Sequence, residues 1–275
     1  MNMVKALIIT GFGINCEVEM GAVYEHAGAE STIVHFNDIL NGKYLLKDFD
    51  ILNFPGGFSF GDDIASGKVM SNKIKYKRMS NGHTFIEEID QFLKDGKYIM
   101  GICNGFQMLV QLGLLPNIKQ DYTPEVSLEK NNSGKYEDRW VHCKVNPKVN
   151  SPFLTGLDLI DLPVRHGEGK LKIKDEATQK AIVEQGLVAL QYVDKNGQVT
   201  DEYPLNPNGA DLSIAGLVDP SGQVFGLMPH PEAFMTCYHH PDWTNIQAQG
   251  RTLEREQTGQ VIFDNIVDHI KKNKG

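Results

Sequence analysis

Cysteine is the side chain best suited to attack an amide, and one of the four here, Cys103, stands in Gly101-Ile102-Cys103-Asn104-Gly105. An apolar run precedes this segment and another follows. Glycines two before and two after a nucleophile let the backbone turn sharply from strand to helix, so that the side chain projects at the helix N-terminus. The positive helix end favours thiolate over thiol there. Glycine-framed turns also arise from packing alone, and free cysteine packs like a small hydrophobe, so this segment by itself leaves both readings open.

A thiolate needs a base, and the base needs an orienting group. Met228-Pro229-His230-Pro231-Glu232 offers an imidazole beside a carboxylate. The prolines disfavour helix and predict an extended segment with His230 and Glu232 on one side of the chain. Attack on an amide also needs donors for the developing oxyanion. The turn Pro55-Gly56-Gly57-Phe58 can expose backbone N–H groups, which with the N–H of Asn104 would form the hole. A Gly-Gly turn alone is also an ordinary strand exit.

Other patterns fall short of a mechanism. Gly11 and Gly13 resemble the start of a dinucleotide fingerprint, but Cys16 occupies the position that needs a small residue. Gly61 through Lys68 resembles a phosphate loop with the wrong glycine spacing and no hydroxyl for magnesium. Cys237, His239 and His240 match no familiar zinc spacing, and no metal is expected.

The elements that must position these residues follow from apolar runs and periodicity. Strands are predicted at Lys5–Thr10, Ser31–Phe36, Asp50–Phe54 and Tyr98–Ile102. Helices are predicted over Val18–Gly28, Thr84–Leu93 and Phe106–Leu115. Further β-like runs lie at Trp140–Val145, Leu187–Val193, Ile214–Val218 and Val224–Met228, and a helix closes the chain from about Gln260 to Lys271. The polar stretch Gln120–Asp138 reads as an exposed excursion. These elements suit an α/β fold: one open, mostly parallel, flavodoxin-like sheet with helices on both faces and a loop-rich β elaboration, in a single domain over residues 1–275.

The bulk numbers bound the partners. A net charge of −8 without a basic run disfavours nucleic acid and anionic membrane surfaces, leaving small molecules and proteins. No segment is long enough to span a bilayer. Four scattered cysteines suit a reducing, cytoplasmic setting rather than a disulfide scaffold.

The combination of Cys103, Gln107 four residues on, and a distant His230-x-Glu232 resembles the class I, or triad, glutamine amidotransferases. More narrowly, the chain is similar to the glutaminase subunits of phosphoribosylformylglycinamidine synthases. The segments that carry this likeness run from Gly11 to Glu19, Phe54 to Asp63, Gly101 to Leu109, Arg165 to Lys170, Tyr203 to Ala210 and Gly226 to Phe234. The resemblance implies that Cys103 is the nucleophile, His230 the general base and acid, and Glu232 its partner. It implies Gly57 and Asn104 as oxyanion donors and Gln107 near bound glutamine. It further implies a large synthetase subunit that holds ATP and magnesium, often a small third subunit, and no cofactor on this chain. Because free glutaminase activity would waste glutamine, a chain weakly active alone and switched on by docking through an Arg165–Lys170 loop is a further expectation. An amidotransferase or cysteine hydrolase serving another acceptor, or a non-catalytic scaffolding subunit, are the alternatives.

Overall fold

Parallel strands buried on both faces need near-continuous apolar runs. In the computed structural model, which describes residues 3–274, Ala6–Ile9 within β1 (Lys5–Thr10) are fully buried. α1 (Glu17–His26), β2 (Glu30–His35), the short α2 (Phe36–Leu40) and β3 (Ile51–Phe54) follow, then α3 (Lys68–Tyr76), α4 (Phe85–Lys94), β4 (Tyr98–Ile102) and α5 (Asn104–Leu112). The second half contributes β5 (Val126–Lys130), β6 (Glu137–Val145), β7 (Leu159–His166), β8 (Glu168–Ile173), α6 (Glu176–Glu184) and β9 (Val188–Val193). β10 (Ile214–Val218), β11 (Val224–Leu227), α7 (Trp243–Ala248) and α8 (Gln260–Asn273) complete the chain.

The main sheet has nine strands in the order β2-β1-β3-β4-β11-β10-β9-β6-β7. β2, β1, β3, β4 and β11 are mutually parallel, the strand order of a flavodoxin-like doubly wound sheet. α1 packs with α8, and α3 with α4 and α5, as the two helical layers of such a sheet. β10, β9, β6 and β7 continue the sheet antiparallel, and β5 pairs with β8 in a separate ribbon.

Two features of this topology make a site. β3, β4 and β11 are neighbours in register, Phe54 opposite Gly101 and Ile102 opposite Leu227. The turns that leave their C-terminal ends therefore open side by side, at the edge where open α/β sheets collect functional groups. The second feature is curvature. In a flat sheet β7 would lie four strand spacings, about 19 Å, from β11. Instead the His230 N–H, just past β11, donates to the Pro163 carbonyl of β7 at 2.8 Å, so the antiparallel half curls back over the site. Register irregularities between β9 and β10, at Ile214 to Leu217, supply local bending. Proline is tolerated in β7 because the strand lies at the sheet edge.

Several expectations change. Gln120–Asp138 is not simply an exposed excursion: it contains β5, and Val126, Asn131 and Glu137 within it are buried. Pairing with β8 gives this polar stretch partners that local composition does not reveal. Arg165–Lys170 is no loop but the end of β7, Gly167 and the start of β8. α3, α6 and β7 escape a reading of periodicity, the last because Pro163 interrupts it.

Candidate active site

Cys103 is the residue between β4 and α5, and its backbone carries the strain of the turn, with φ 52° and ψ −106°. Only a small fraction of non-glycine residues adopt positive φ, and such strain persists where surrounding structure enforces it. The flanking glycines serve close approach rather than unusual dihedrals. A Cβ on Gly105 would overlap the Phe54 carbonyl oxygen of β3, and one on Gly101 would press on Leu109 and the Gly105 carbonyl. The sharp turn thus belongs to the cysteine, and the glycines let helix and strand close around it. Cys103 is 7% exposed, and its Sγ lies 3.7 Å from the Arg165 carbonyl oxygen.

His230 and Glu232 leave β11 at 2% and 3% exposure. The segment is not extended: Pro231–Ala233 forms a 3-10 turn with proline at its start, where a missing N–H costs nothing. Within that turn His230 Nδ1 lies 2.6 Å from a Glu232 carboxylate oxygen. Nε2 is consequently the free nitrogen, buried without a protein partner among the described residues. Burial disfavours the imidazolium, yet the Glu232 carboxylate and the Cys103 sulfur outweigh it and hold the His230 pKa well above its ordinary value. The open Nε2 is a looseness common in resting active sites.

The turn after β3 is fixed by the loop that follows β1. Asn15 and Cys16 N–H groups both donate to the Gly56 carbonyl, at 3.2 and 3.3 Å, and Phe58 N–H donates to the Gly13 carbonyl. In a trans peptide the N–H opposes the carbonyl. The Gly57 N–H therefore points away from the Gly11–Cys16 loop, and neither it nor the Asn104 N–H has an acceptor among the described residues. Gly57 has φ 145°, and a Cβ there would strike Gly13 O and Ile14 Cα, each at 2.7 Å. The Asn104 side chain ties this turn to the elbow, accepting from Ser59 N–H at 3.2 Å and donating to Asp62 and Gln107. Gln107 also donates to the Glu168 carbonyl at 2.5 Å. Both ends of its amide are engaged within the protein, which gives it a bracing position between α5 and β8.

Three residues near the reacting groups lie in segments that carry the family likeness, but no local signal places them beside His230 and Cys103. Cys16 packs against His230: its Sγ, a ring nitrogen of His230 and a carboxylate oxygen of Glu232 lie within 4.8 Å of one another. A Cβ on Gly56 would meet His230 Cε1 at 2.8 Å and Cys16 Sγ at 3.1 Å. Burial raises the Cys16 thiol pKa, with the His230 contact opposing that shift. His166 is buried, and burial followed by the nearby His230 charge holds its pKa down at about 4. Arg165 is the third. Its segment stands out as a motif, but no local signal shows that β7 folds back onto β11.

The decoys find other uses. Phe12 of the first glycine loop stacks on Phe60 of the second at 4.4 Å, bracing the oxyanion turn. Gly67 caps α3 in the left-handed region, against Met108 of α5. His239 Nδ1 accepts from Met235 and Thr236 N–H, whereas His240 pairs with Asp161, so Cys237, His239 and His240 do not converge.

A family model described as a CobB/CobQ-like glutamine amidotransferase domain matches residues 3–270. A Methanococcus maripaludis protein named phosphoribosylformylglycinamidine synthase subunit PurQ is 43% identical over 275 residues, 98% of each chain. A Dehalococcoides mccartyi protein of the same name is 41% identical, covering 97% of this chain and 98% of that protein. Among solved structures, PurLQS from Thermotoga maritima aligns with a TM-score of 0.69 at 28% identity, covering 98% of this chain and 100% of that one. A glutamine amidotransferase from Thermotoga maritima shares the fold at 14% identity and TM-score 0.53, covering 99% of this chain and 98% of that one. With its glycine-framed cysteine and buried His-x-Glu at adjoining strand ends, the chain belongs to the CobB/CobQ-like glutamine amidotransferases and, within them, to the PurQ subunits of phosphoribosylformylglycinamidine synthase.

Proposed function

We propose that this chain hydrolyses glutamine and delivers ammonia to a synthetase subunit, which uses ATP and magnesium to convert formylglycinamide ribonucleotide to its amidine. The observation that carries the reading is the strained Cys103 beside the buried His230–Glu232 pair, with two backbone N–H groups on the adjoining turns that have no acceptor among the described residues.

Cys103 Sγ attacks the side-chain amide carbon of glutamine, and the oxygen takes up negative charge toward the Gly57 and Asn104 N–H groups. Removing one such donor in other enzymes costs about 10²–10³ in kcat. Glu232 holds Nδ1, leaving Nε2 to carry the mobile proton. The proton passes to the departing nitrogen, and ammonia leaves a glutamyl thioester on Cys103. The neutral imidazole then takes a proton from water, which attacks the thioester and releases glutamate. Gln107 acts by holding the elbow against β8 rather than by reaching the glutamine.

The acceptor and partners rest on kinship with PurQ subunits and on likeness to the Thermotoga maritima PurLQS structure. We place the reaction in the cytoplasm, where a thiol nucleophile stays reduced. The test is formylglycinamidine ribonucleotide synthesis by the assembled complex with ATP, comparing wild type with Cys103→Ala. Glutamine-dependent synthesis is expected to vanish while ammonia-dependent synthesis persists. Retention of glutamine-dependent synthesis by the variant would remove Cys103 from the mechanism. A complex that hydrolyses glutamine but does not aminate this acceptor would leave the glutaminase and remove the purine assignment.

A further inference from the structure

Arginine cannot shed its charge, so guanidinium N–H groups held out of reach of water without an acceptor are a costly arrangement, sustained where something else supplies the anion. Arg165 is in that position. The side chain as a whole is part-exposed, but its Nε and Nη2 are buried and have no hydrogen-bond partner among the described residues. Asp138 stands opposite it across the β6–β7 ladder, yet the two side chains do not pair. The surroundings are those of the reacting groups. The Arg165 carbonyl oxygen lies 3.7 Å from Cys103 Sγ. Its charge acts on the Cys16 thiol and the Tyr136 phenol, opposing the upward push that burial gives each. Cys16 packs on His230, and Tyr136 faces Phe58 of the oxyanion turn with ring centroids 6.4 Å apart.

We propose that Arg165 is a specificity-determining residue that anchors the α-carboxylate of the glutamine whose side-chain amide Cys103 attacks. The proposal rests on the glutaminase reading. Nε and Nη2 form the side-on fork of the guanidinium, which pairs with a carboxylate through two parallel N–H···O bonds. In extended glutamine, four bonds separate the carboxylate carbon from the amide carbon, roughly 5 Å. An arginine side chain rooted where its own carbonyl touches the nucleophile spans a comparable length. An occupied fork would satisfy both orphaned donors at once. It would also explain why a cation with two donors out of reach of water is kept at this position.

The test uses the assembled complex and measures ammonia release from L-glutamine and from L-glutaminamide, whose α-carboxylate is replaced by a neutral amide. Wild type, Arg165→Met, Arg165→Lys and Asp138→Asn are compared. Arg165→Met is expected to raise KM for glutamine by about 10-fold or more, with a smaller change in kcat, the scale of a charge-assisted hydrogen bond. Its KM for glutaminamide should stay near the wild-type value. Lysine should restore part of the loss, because it keeps the charge without the fork. Asp138→Asn should leave the glutamine KM unchanged, and the thermal midpoint of the free Arg165→Met subunit should hold or rise. Equal losses on both substrates, or a fall in thermal midpoint with KM unchanged, would make Arg165 structural and overturn the proposal. Wild type inert toward glutamine would overturn the glutaminase reading and the anchor together, whereas active wild type with equal losses would overturn the anchor alone.

Discussion

His230 is the residue on which the chemistry turns, and Glu232 sets both its tautomer and its charge. With Nδ1 held at 2.6 Å by a carboxylate, only Nε2 can exchange protons. Replacing Glu232 by Gln keeps the shape but removes the charge, and kcat for glutamine hydrolysis is expected to fall about 10²-fold or more. The same change has a stability signature. The folded His230 pKa lies above its unfolded value, so the native state holds the proton more tightly. The stabilisation is fully present below the unfolded pKa and is lost as pH rises through the folded one. The urea-unfolding gap between wild type and Glu232→Gln should therefore narrow as the solution is made alkaline. A gap that widens with pH would contradict the imidazolium–carboxylate pair.

At the scale of elements, the site depends on how closely α5 approaches β3. The elbow is held by backbone contact, not by side-chain bonds alone: the Gly105 Cα faces the Phe54 carbonyl with no room for a methyl group. Gly105→Ala would improve helix propensity in isolation, yet the clash with backbone should dominate. It is expected to destabilise the protein by about 3 kcal/mol or more and to displace Cys103. Chemical denaturation checks the stability. The alkylation rate of Cys103 by a glutamine-like electrophile checks the geometry. A variant with wild-type stability and reactivity would mean that the helix can withdraw without cost.

At the scale of the whole molecule, the curled antiparallel half brings β7 to the parallel half, and with it Arg165 and the buried His166. His166 has a folded pKa of about 4, below its unfolded value near 6.5, because burial excludes its charged form. It therefore stabilises the fold above pH 6.5, and that contribution, about 3 kcal/mol at most, is lost as pH falls towards 4. Urea midpoints for wild type and His166→Gln at about pH 7 and about pH 4.5 should show a smaller acid loss in the variant. Equal acid losses would assign the acid transition to other groups.

Local sequence determined the strand runs, the glycine-framed turn around Cys103 and the His-x-Glu pair, because each rests on neighbours a few residues apart and on backbone preferences that act locally. It also bounded the doubly wound half, whose inner strands β3, β4 and β11 are apolar on nearly every residue. The tertiary structure decided which turns share an edge, that Pro231 opens a 3-10 turn rather than an extended segment, and that Cys16 lies on His230. It alone placed Arg165 and His166 beside the nucleophile. These facts depend on strand order and on the curvature of a nine-stranded sheet, summed over contacts between residues far apart in the chain. No window of sequence contains that sum.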